Sequence, residues 1–202
     1  MLKYNIEQIY FRMNEHKAVV ITAPSGAGKS TIAKALREAF PKLIFSISST
    51  TRLIRGQEID GREYFFISPE KFRQMIEKDE FFEWEEVYED KYYGTSKSEL
   101  VRISQLGGVA LLDIDVKGAL NVKRELGGNA LTVFIKPPFP EMKILEERIR
   151  FRNTETEKDI LLRLAKAEEE LSFSDKFDVV VLNDNLEDAI REACLQVSEF
   201  IK

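Results

Sequence analysis

The chain has 202 residues, a mass of 23.3 kDa, 44% apolar residues and 32% charged residues, which suits one packed domain. Charged residues interrupt every hydrophobic run before it reaches the eighteen or so residues of a membrane helix, which excludes an integral membrane protein. Thirty Lys and Arg against thirty-five Asp and Glu give a net charge of -5, which argues against broad electrostatic binding to nucleic acid.

Cysteine and histidine are too scarce for a disulfide or a zinc site. Cys194 and His16 are the only residues of their kinds, so neither an internal disulfide nor a Cys/His metal set can form. The N-terminal residues lack the basic-then-apolar order of a secretory signal. We therefore expect a protein of the reducing cytoplasm, with Cys194 as a buried free thiol and no role for His16.

Five short apolar runs, rich in β-branched residues, predict buried strands between segments of helical periodicity. The predicted strands are 18–22, 43–48, 109–114, 131–136 and 179–182. The predicted helices are 29–40, 96–106, 141–152, 157–171 and 186–201. This alternation predicts an α/β fold in which a parallel sheet of about five strands is flanked by helices on both faces.

Two segments interrupt the alternation. Residues 50–95 predict a small, mostly antiparallel sheet with a helix from Pro69 to Lys78 that begins at the N-cap Ser68. Residues 137–171 predict a charged helical hairpin with too few apolar residues to anchor it firmly on the sheet, and we expect it to move as a lid. The chain is thus expected to form one domain with its core at about 18–49, 96–136 and 172–202.

The first predicted strand is followed at once by a glycine loop and a helix. The loop consists of Ala23, Pro24, Ser25, Gly26, Ala27, Gly28, Lys29, Ser30 and Thr31. Its backbone N–H groups can surround a phosphate, Lys29 can reach the β- and γ-phosphates, and the Ser30 hydroxyl can ligate Mg²⁺. Ala23 stands where such P-loops usually begin with glycine, which is tolerable if its φ is negative. The loop predicts a P-loop NTPase-type fold that binds ATP.

The sequence lacks the Asn-Lys-x-Asp run of GTPase switch proteins and the Leu-Ser-Gly-Gly-Gln run of transport ATPases, which favours a small phosphotransferase. Six further motifs occur in order: SISSTTR (46–52), Arg55 with GREYFF (61–66), EFFEW (80–84), YGTS (93–96), LDID (112–115) with Gly118, and VLND (181–184). With these motifs the chain resembles the guanylate kinase family from about Ala18 onward. Two departures are Ile54 in place of a proline and Lys117 in place of a glutamine.

The resemblance implies Mg²⁺-dependent transfer of the γ-phosphoryl group of ATP to GMP, and to dGMP as well, with GMP bound in the inserted segment 50–95. Glu83 would accept hydrogen bonds from the guanine N1–H and amino groups, whereas adenine would leave polar groups unpaired. Asp115, Ser48 and Thr95 would complete the contacts with the base. The phosphate of GMP would be held by Arg52, Arg55, Tyr64 and Tyr93.

The resemblance also implies roles around ATP. Arg148, Arg152 and Arg163 would close over the phosphates from the lid, whereas Arg150 points off their shared face and is a weaker candidate. Asn183 would help to seat the adenine, and Asp113 would contact the metal ion through water.

Several alternatives remain open from the residues alone. Tyr64 and Tyr93 are also explained as packing aromatics, Glu83 as part of a solvated acidic strand face, and the arginines as surface ion pairs. The whole chain would also suit a non-catalytic protein-binding module or a P-loop kinase for another acceptor. We expect ATP and GMP as partners, without nucleic acid or membrane. The leader, residues 4–17, either adds a helix to the sheet or contacts a second subunit of a homo-oligomer.

Overall fold

Residues 17–151 and 156–202 are the part of the chain described by this computed structural model. The leader up to His16 and the predicted site residue Arg152 lie outside it. Nine strands occur in the described residues: β1 (Ala18–Thr22), β2 (Leu43–Phe45), β3 (Ser49–Thr50), β4 (Phe65–Phe66), β5 (Phe81–Tyr88), β6 (Lys91–Ser96), β7 (Val109–Asp113), β8 (Ala130–Lys136) and β9 (Val179–Leu182). They form one five-stranded and one four-stranded sheet.

Seven α-helices accompany the strands in the same residues. They are α1 (Lys29–Ala39), α2 (Pro69–Glu77), α3 (Lys97–Gln105), α4 (Val116–Leu126), α5 (Glu141–Phe151), α6 (Glu157–Leu171) and α7 (Leu186–Ile201). Short 3₁₀ turns occupy Gly127–Asn129 and Ser174–Lys176. No helix of the described residues combines the length and the apolar character that a membrane span requires.

The five-stranded sheet is the core, with the order β2-β7-β1-β8-β9 and parallel pairing throughout. The central strand β1 is buried on both faces, as expected for a parallel sheet covered by helices. Val19 and Ile21 pack on the side of α1 and α7, and Ala18 and Val20 pack on the side of α3 and α4. The predicted α/β architecture is confirmed, and β1, β9, α6 and α7 have the predicted bounds.

Helix α4 is the main element that the sequence pattern did not predict. It follows β7 directly, and the Asp115 carboxylate caps it by accepting a hydrogen bond from the Gly118 N–H at 2.8 Å. Val116, Ala119 and Val122 face the core at helical spacing. Its N-cap and first turn coincide with the end of the LDID motif and Gly118, a pattern that indicates a ligand-binding segment as readily as the start of a helix.

The four-stranded sheet lies in the insertion and has the order β4-β3-β6-β5. Only β3 and β4 pair in parallel, so the prediction of a mostly antiparallel patch is confirmed. Helix α2 covers it, and the Ser68 hydroxyl caps the helix by accepting from the Lys71 N–H at 3.2 Å. The Phe72 ring stacks on Phe81 at 4.2 Å between centroids.

The junction between the two sheets differs from the predicted one. Strand β2 ends at Phe45 rather than at Ser48, because the chain leaves the core sheet there and joins the small sheet at Ser49. The small sheet continues to Ser96, whose hydroxyl then caps α3. The insertion is therefore joined to the core by a short link from β2 to β3 at one end and through helix α3, which leads to β7, at the other.

The helical hairpin of α5 and α6 is more firmly anchored than its composition predicted. Leu145 of α5 and Ala167 of α6 are fully buried in the same apolar cluster as β1. Ile149, one turn after Leu145, lies against the glycine loop, where a Cβ on Gly26 would be 3.1 Å from its side chain. The expectation of weak anchoring was wrong because a few apolar residues at i, i+4 spacing face the core directly.

Candidate active site

The glycine loop lies at the carboxyl edge of the parallel sheet, between β1 and α1. Gly26 and Gly28 have φ angles of +90° and +97°, which favour glycine and let the backbone turn around an anion. Ala23 is not among the described residues with positive φ, so its departure from the usual glycine is accommodated. Ser30 and Thr31 are exposed in the first turn of α1, where their hydroxyls are accessible to a ligand.

The Lys29 ammonium lies between the loop and the end of β7. It forms an ion pair with the Asp113 carboxylate and donates to the Ile114 carbonyl at 3.1 Å. Burial alone would lower the pKa of Lys29, but the Asp113 carboxylate outweighs it and raises the pKa above its ordinary value. Lys29 is therefore a fixed positive charge at the mouth of the loop.

Asn183, which directly follows β9, contacts the glycine loop. It is buried, and its side-chain amide donates to the Ala27 carbonyl at 2.7 Å. A Cβ on Gly28 would lie 2.3 Å from that amide nitrogen, so glycine is required for this close approach. Asn183 therefore contacts the loop itself. This contact was not part of the prediction, which placed Asn183 beside adenine.

Two of the predicted lid arginines converge on the loop. Arg148 of α5 donates to the Asn183 carbonyl at 3.0 Å, and Arg163 of α6 donates to the Ser25 hydroxyl at 2.8 Å. Arg150 is instead exposed and pairs with Glu146 and Glu157. The surface ion-pair alternative therefore describes Arg150, whereas Arg148 and Arg163 lie against the predicted phosphate site.

Glu83 occupies a buried position in β5. Only 6% of the residue is exposed, and its carboxylate accepts from the Thr95 N–H at 2.9 Å. Burial raises the pKa of Glu83 to about 7. The Thr95 hydroxyl in turn lies 3.3 Å from the Ser48 hydroxyl. A solvated acidic face does not describe Glu83, and the predicted base-binding residues are brought together.

The first turn of α4 borders the same pocket. A Cβ on Gly118 would lie 2.6 Å from Oε2 of Glu83, so the absence of a side chain there allows the carboxylate to approach the helix. The Asp115 carboxylate caps the helix and lies 3.2 Å from the same Cβ position. Asp115 is therefore adjacent to Glu83, as the resemblance implies, and has a structural role as well.

The predicted phosphate clamp is built around a guanidinium that lies against an aromatic ring. Arg52 is 9% exposed and lies 4.9 Å from the centre of the Tyr64 ring, which meets the Tyr93 ring edge to face at 6.0 Å. Burial and the Asp113 carboxylate raise the pKa of Tyr64, so the phenol is near enough to Asp113 to interact with it electrostatically. Arg55 is exposed near the same segment.

Three charged residues at this cleft were not singled out in the sequence. Glu58 pairs with Arg52, whereas Lys166 of α6 lies 3.8 Å from Asp115 and 3.6 Å from Glu170. Burial raises the pKa of Glu170 to about 7. The sequence contains a signal for Lys166 and Glu170. They follow Arg163 at intervals of three and four residues, so all three share one face of α6.

Comparisons with known proteins agree with this arrangement. A family model described as "Guanylate kinase" matches residues 15–201. The guanylate kinase of Salinibacter ruber is 46% identical over 189 residues, which cover 94% of this chain and 99% of that protein. The guanylate kinase of Bacteroides fragilis is 45% identical over 94% of this chain and 92% of that protein.

A solved structure shows the same likeness in three dimensions. The crystal structure of guanylate kinase from Anaplasma phagocytophilum has a TM-score of 0.71 and 28% identity, and the match covers 93% of this chain and 87% of that one. The family model, the relatives and the fold all lead to one assignment: the chain belongs to the guanylate kinase family.

Proposed function

We propose that this protein transfers the γ-phosphoryl group of ATP to GMP, producing ADP and GDP. Its membership of the guanylate kinase family supports this reaction. The observation that carries the choice of acceptor is the buried Glu83 carboxylate in the insertion, which accepts from the Thr95 N–H. The core at 18–49, 96–136 and 172–202 would bind ATP, the insertion at about 50–95 would bind GMP, and the hairpin at 137–171 would act as the lid.

Guanine recognition follows from the donors and acceptors of the pocket. The Glu83 carboxylate can accept from both the N1–H and the amino group of guanine, and Ser48, Thr95 and Asp115 supply further polar groups nearby. Adenine presents an acceptor at N1, which would face the carboxylate and leave both unpaired. The pocket therefore favours GMP, and nothing in this contact set depends on the ribose 2′-hydroxyl, so dGMP should also be accepted.

The phosphate of GMP would bind the clamp of Arg52, Arg55, Tyr64 and Tyr93. Arginine matches phosphate with parallel N–H donors, and the phenol groups add donors on the other side. Tyr64 is near enough to Lys29 and Asp113 to interact with them electrostatically, so a phosphate on the clamp would lie near the γ-phosphate of ATP in the P-loop. The nucleophile is a phosphate oxygen that is already anionic, so no general base is needed.

Mg²⁺ is implied by the family and by the chemistry of ATP. The exposed Ser30 hydroxyl and the Asp113 carboxylate are hard oxygen donors, and Mg²⁺ in kinases typically takes one or two protein ligands together with phosphates and water. The residues therefore fit the ion, with Ser30 as a direct ligand and Asp113 as a partner through water. When bound, Mg²⁺ would neutralise phosphate charge and orient the donor phosphates.

The chain's own positive groups would stabilise the transfer. The transition state of phosphoryl transfer spreads negative charge over the oxygens of the moving group. Lys29 is fixed by Asp113, and Arg148 and Arg163 are held against the loop, so their charges need little reorganisation during the reaction. Arg152, which lies outside the described residues, is proposed to join them. Closure of the lid over both nucleotides would exclude water and limit hydrolysis of ATP.

An acceptor panel tests this function. The protein is supplied with MgATP and, separately, with GMP, dGMP, AMP, CMP and UMP, and ADP formation is measured with each. We expect turnover with GMP and dGMP and a kcat/KM at least about 10³-fold lower with AMP. Equal use of AMP would exclude the role of Glu83, and the absence of turnover with every acceptor would instead favour a non-catalytic binding module.

A further inference from the structure

Glu58 makes an unusually complete set of contacts with the predicted phosphate clamp. Its two carboxylate oxygens accept from Nη1 and Nη2 of Arg52, each at 2.6 Å. One of these oxygens also accepts from the Arg55 N–H at 2.8 Å. Glu58 lies in the exposed loop that joins β3 and β4. Its carboxylate therefore contacts the side chain of one clamp arginine, Arg52, and the backbone of the other, Arg55.

The remaining donors of Arg52 have a defined direction. A guanidinium has five N–H donors in one plane, and Glu58 takes the pair at its end. The Leu53 carbonyl accepts from Nη1 at 2.9 Å and takes a third. The Nε–H and the second N–H of Nη2 are left, and these two lie parallel along one side of the guanidinium. Among the described residues, no acceptor contacts this side pair.

Aromatic rings also surround the guanidinium. Its Cζ lies 4.9 Å from the centre of the Tyr64 ring and 5.3 Å from that of Phe66, and Arg52 is buried. With its end bonded to Glu58 and aromatic rings beside it, the guanidinium cannot rotate without losing several contacts. Its side pair of donors is therefore aimed in one direction before a ligand arrives, which lowers the entropy cost of binding.

We propose that Glu58 is a positioning residue for the acceptor: it locks the Arg52 guanidinium so that the side pair of donors is presented to the phosphate of GMP. This inference rests on the proposed function, because it takes the phosphate of GMP as the ligand of Arg52. It assigns no contact between Glu58 and the substrate. The residue acts only through the orientation of Arg52 and of the Arg55 backbone.

The contacts argue against the opposite role, in which Glu58 merely occupies the phosphate position and is displaced by GMP. Three hydrogen bonds hold the carboxylate, one of them from a backbone N–H. The Arg52 guanidinium beside it holds the pKa of Glu58 below its ordinary value, so the carboxylate stays ionised at neutral pH. A displaced occupant would compete with GMP, and its removal would strengthen binding, which makes the two roles opposite in sign.

The test compares Glu58→Gln with the wild-type enzyme, using GMP and guanosine as a matched ligand pair. Gln keeps the size of the side chain but turns one acceptor into a donor that faces Arg52. We expect the KM for GMP to rise about tenfold, with the KM for ATP within about twofold of wild type. The affinity for guanosine, which lacks the phosphate, should stay within about twofold, because the base pocket is untouched.

Two further variants distinguish positioning from loosening of the loop. Glu63→Gln removes a carboxylate that accepts from the Ile59 N–H at 2.7 Å in the same loop but does not contact Arg52, and it should leave the KM for GMP within about twofold. In the background of Arg52→Ala, Glu58→Gln should have little additional effect on the affinity for GMP, because its route of action has been removed.

Three results would overturn the proposal. The first is tighter binding of GMP to Glu58→Gln, which would make Glu58 a competitor. The second is an equal loss of affinity for GMP and guanosine, which would make it a structural residue of the loop. The third is an unchanged KM for GMP. Turnover of GMP by the wild-type enzyme is measured alongside, because its absence would refute the proposed function itself rather than the role of Glu58.

Discussion

The core sheet and the small sheet of the insertion bury different kinds of side chain. In the core, Val19, Ile21 and Leu111 are completely buried among other aliphatic residues. The small sheet instead buries Glu83 and Thr95 beside an aromatic cluster around Phe72. Buried polar groups stabilise a fold much less than aliphatic packing does, and an unpaired buried charge destabilises it.

The difference suggests a division of roles, in which the core sheet supplies stability and the insertion supplies recognition of the base. The core is stabilised by apolar burial and presents the P-loop at its edge, where backbone N–H groups and Lys29 would contact the proposed ligand. The insertion keeps polar groups away from water in a place where a guanine base would pair with them. Four predictions follow, from the largest expected effect to the smallest.

Lys29→Ala should produce the largest loss of activity. The variant removes a fixed charge from the edge of the core sheet, and we expect kcat to fall by about 10²–10³-fold or more while the fold persists. Steady-state kinetics and thermal unfolding measure the two effects. Lys34→Ala is the control on the same helix, because Lys34 is exposed and its ion pair with Glu38 is long, at 3.9 Å. A fall in kcat of less than tenfold would show that Lys29 does not stabilise the transition state.

Phe72→Ala tests whether the insertion has a core of its own. Phe72 is fully buried and stacks on Phe81 and Tyr92, and neither core cluster of the large sheet includes it. The truncation should cost about 3–5 kcal/mol locally, so GMP binding should weaken strongly while ATP binding is retained. Calorimetric titration with each nucleotide measures this. Equal weakening of both would show that the two sheets unfold as one unit.

The affinity for guanosine should depend on pH through Glu83. Burial raises the pKa of Glu83 to about 7, and in the proposed binding mode guanosine requires the carboxylate form. Affinity should therefore be level above pH 7 and fall about tenfold for each pH unit below it. Guanosine avoids the titrating phosphate of GMP, and Glu83→Gln provides a variant in which the dependence should disappear. A constant affinity of the wild-type protein between pH 5 and 8 would contradict this account.

Arg150→Ala should have the smallest effect and Arg148→Ala a clear one, although the two residues are on the same helix. Arg148 donates to the Asn183 carbonyl beside the loop, whereas Arg150 is exposed and pairs with glutamates. We expect kcat to fall about 10-fold to 100-fold for Arg148→Ala and less than about twofold for Arg150→Ala. The reverse order in single-turnover measurements would reassign the lid residues.

The regular elements were predictable where a strong local signal defines both ends. Strand β1 is an apolar run that meets a glycine loop, and α6 begins at the capping Thr156, so both were predicted with the observed bounds. Strand β4 lies within the aromatic run 64–67, which predicts a strand, whereas β3 was not predicted because it exists only through pairing with distant residues. Helix α4 was overlooked although Asp115 is an ordinary N-cap.

The candidate site was predictable in its membership and much less in its contacts. The order of motifs identified Glu83, Arg52 and Asn183. Their burial and partners depend on tertiary packing: Gly118 makes room for Glu83, and Asn183 fits beside Gly28. The pairing of Arg52 with Glu58 involves residues six apart in an irregular loop, where no helical or strand period indicates a contact.

We propose that the buried Glu83 lowers the stability of the protein and provides its selectivity for guanine. Glu83→Gln tests this most directly. Because burial raises the folded pKa of Glu83 to about 7, wild-type stability falls as pH rises from its ordinary pKa to about 7, and it stays reduced above that. At pH 8 we expect Glu83→Gln to be more stable than wild type by about 1–3 kcal/mol and its KM for GMP to rise about 100-fold. Glu89→Gln, an exposed control in the turn after β5, should change neither quantity. A Glu83→Gln variant that is less stable at pH 8 and binds GMP as wild type does would contradict the claim.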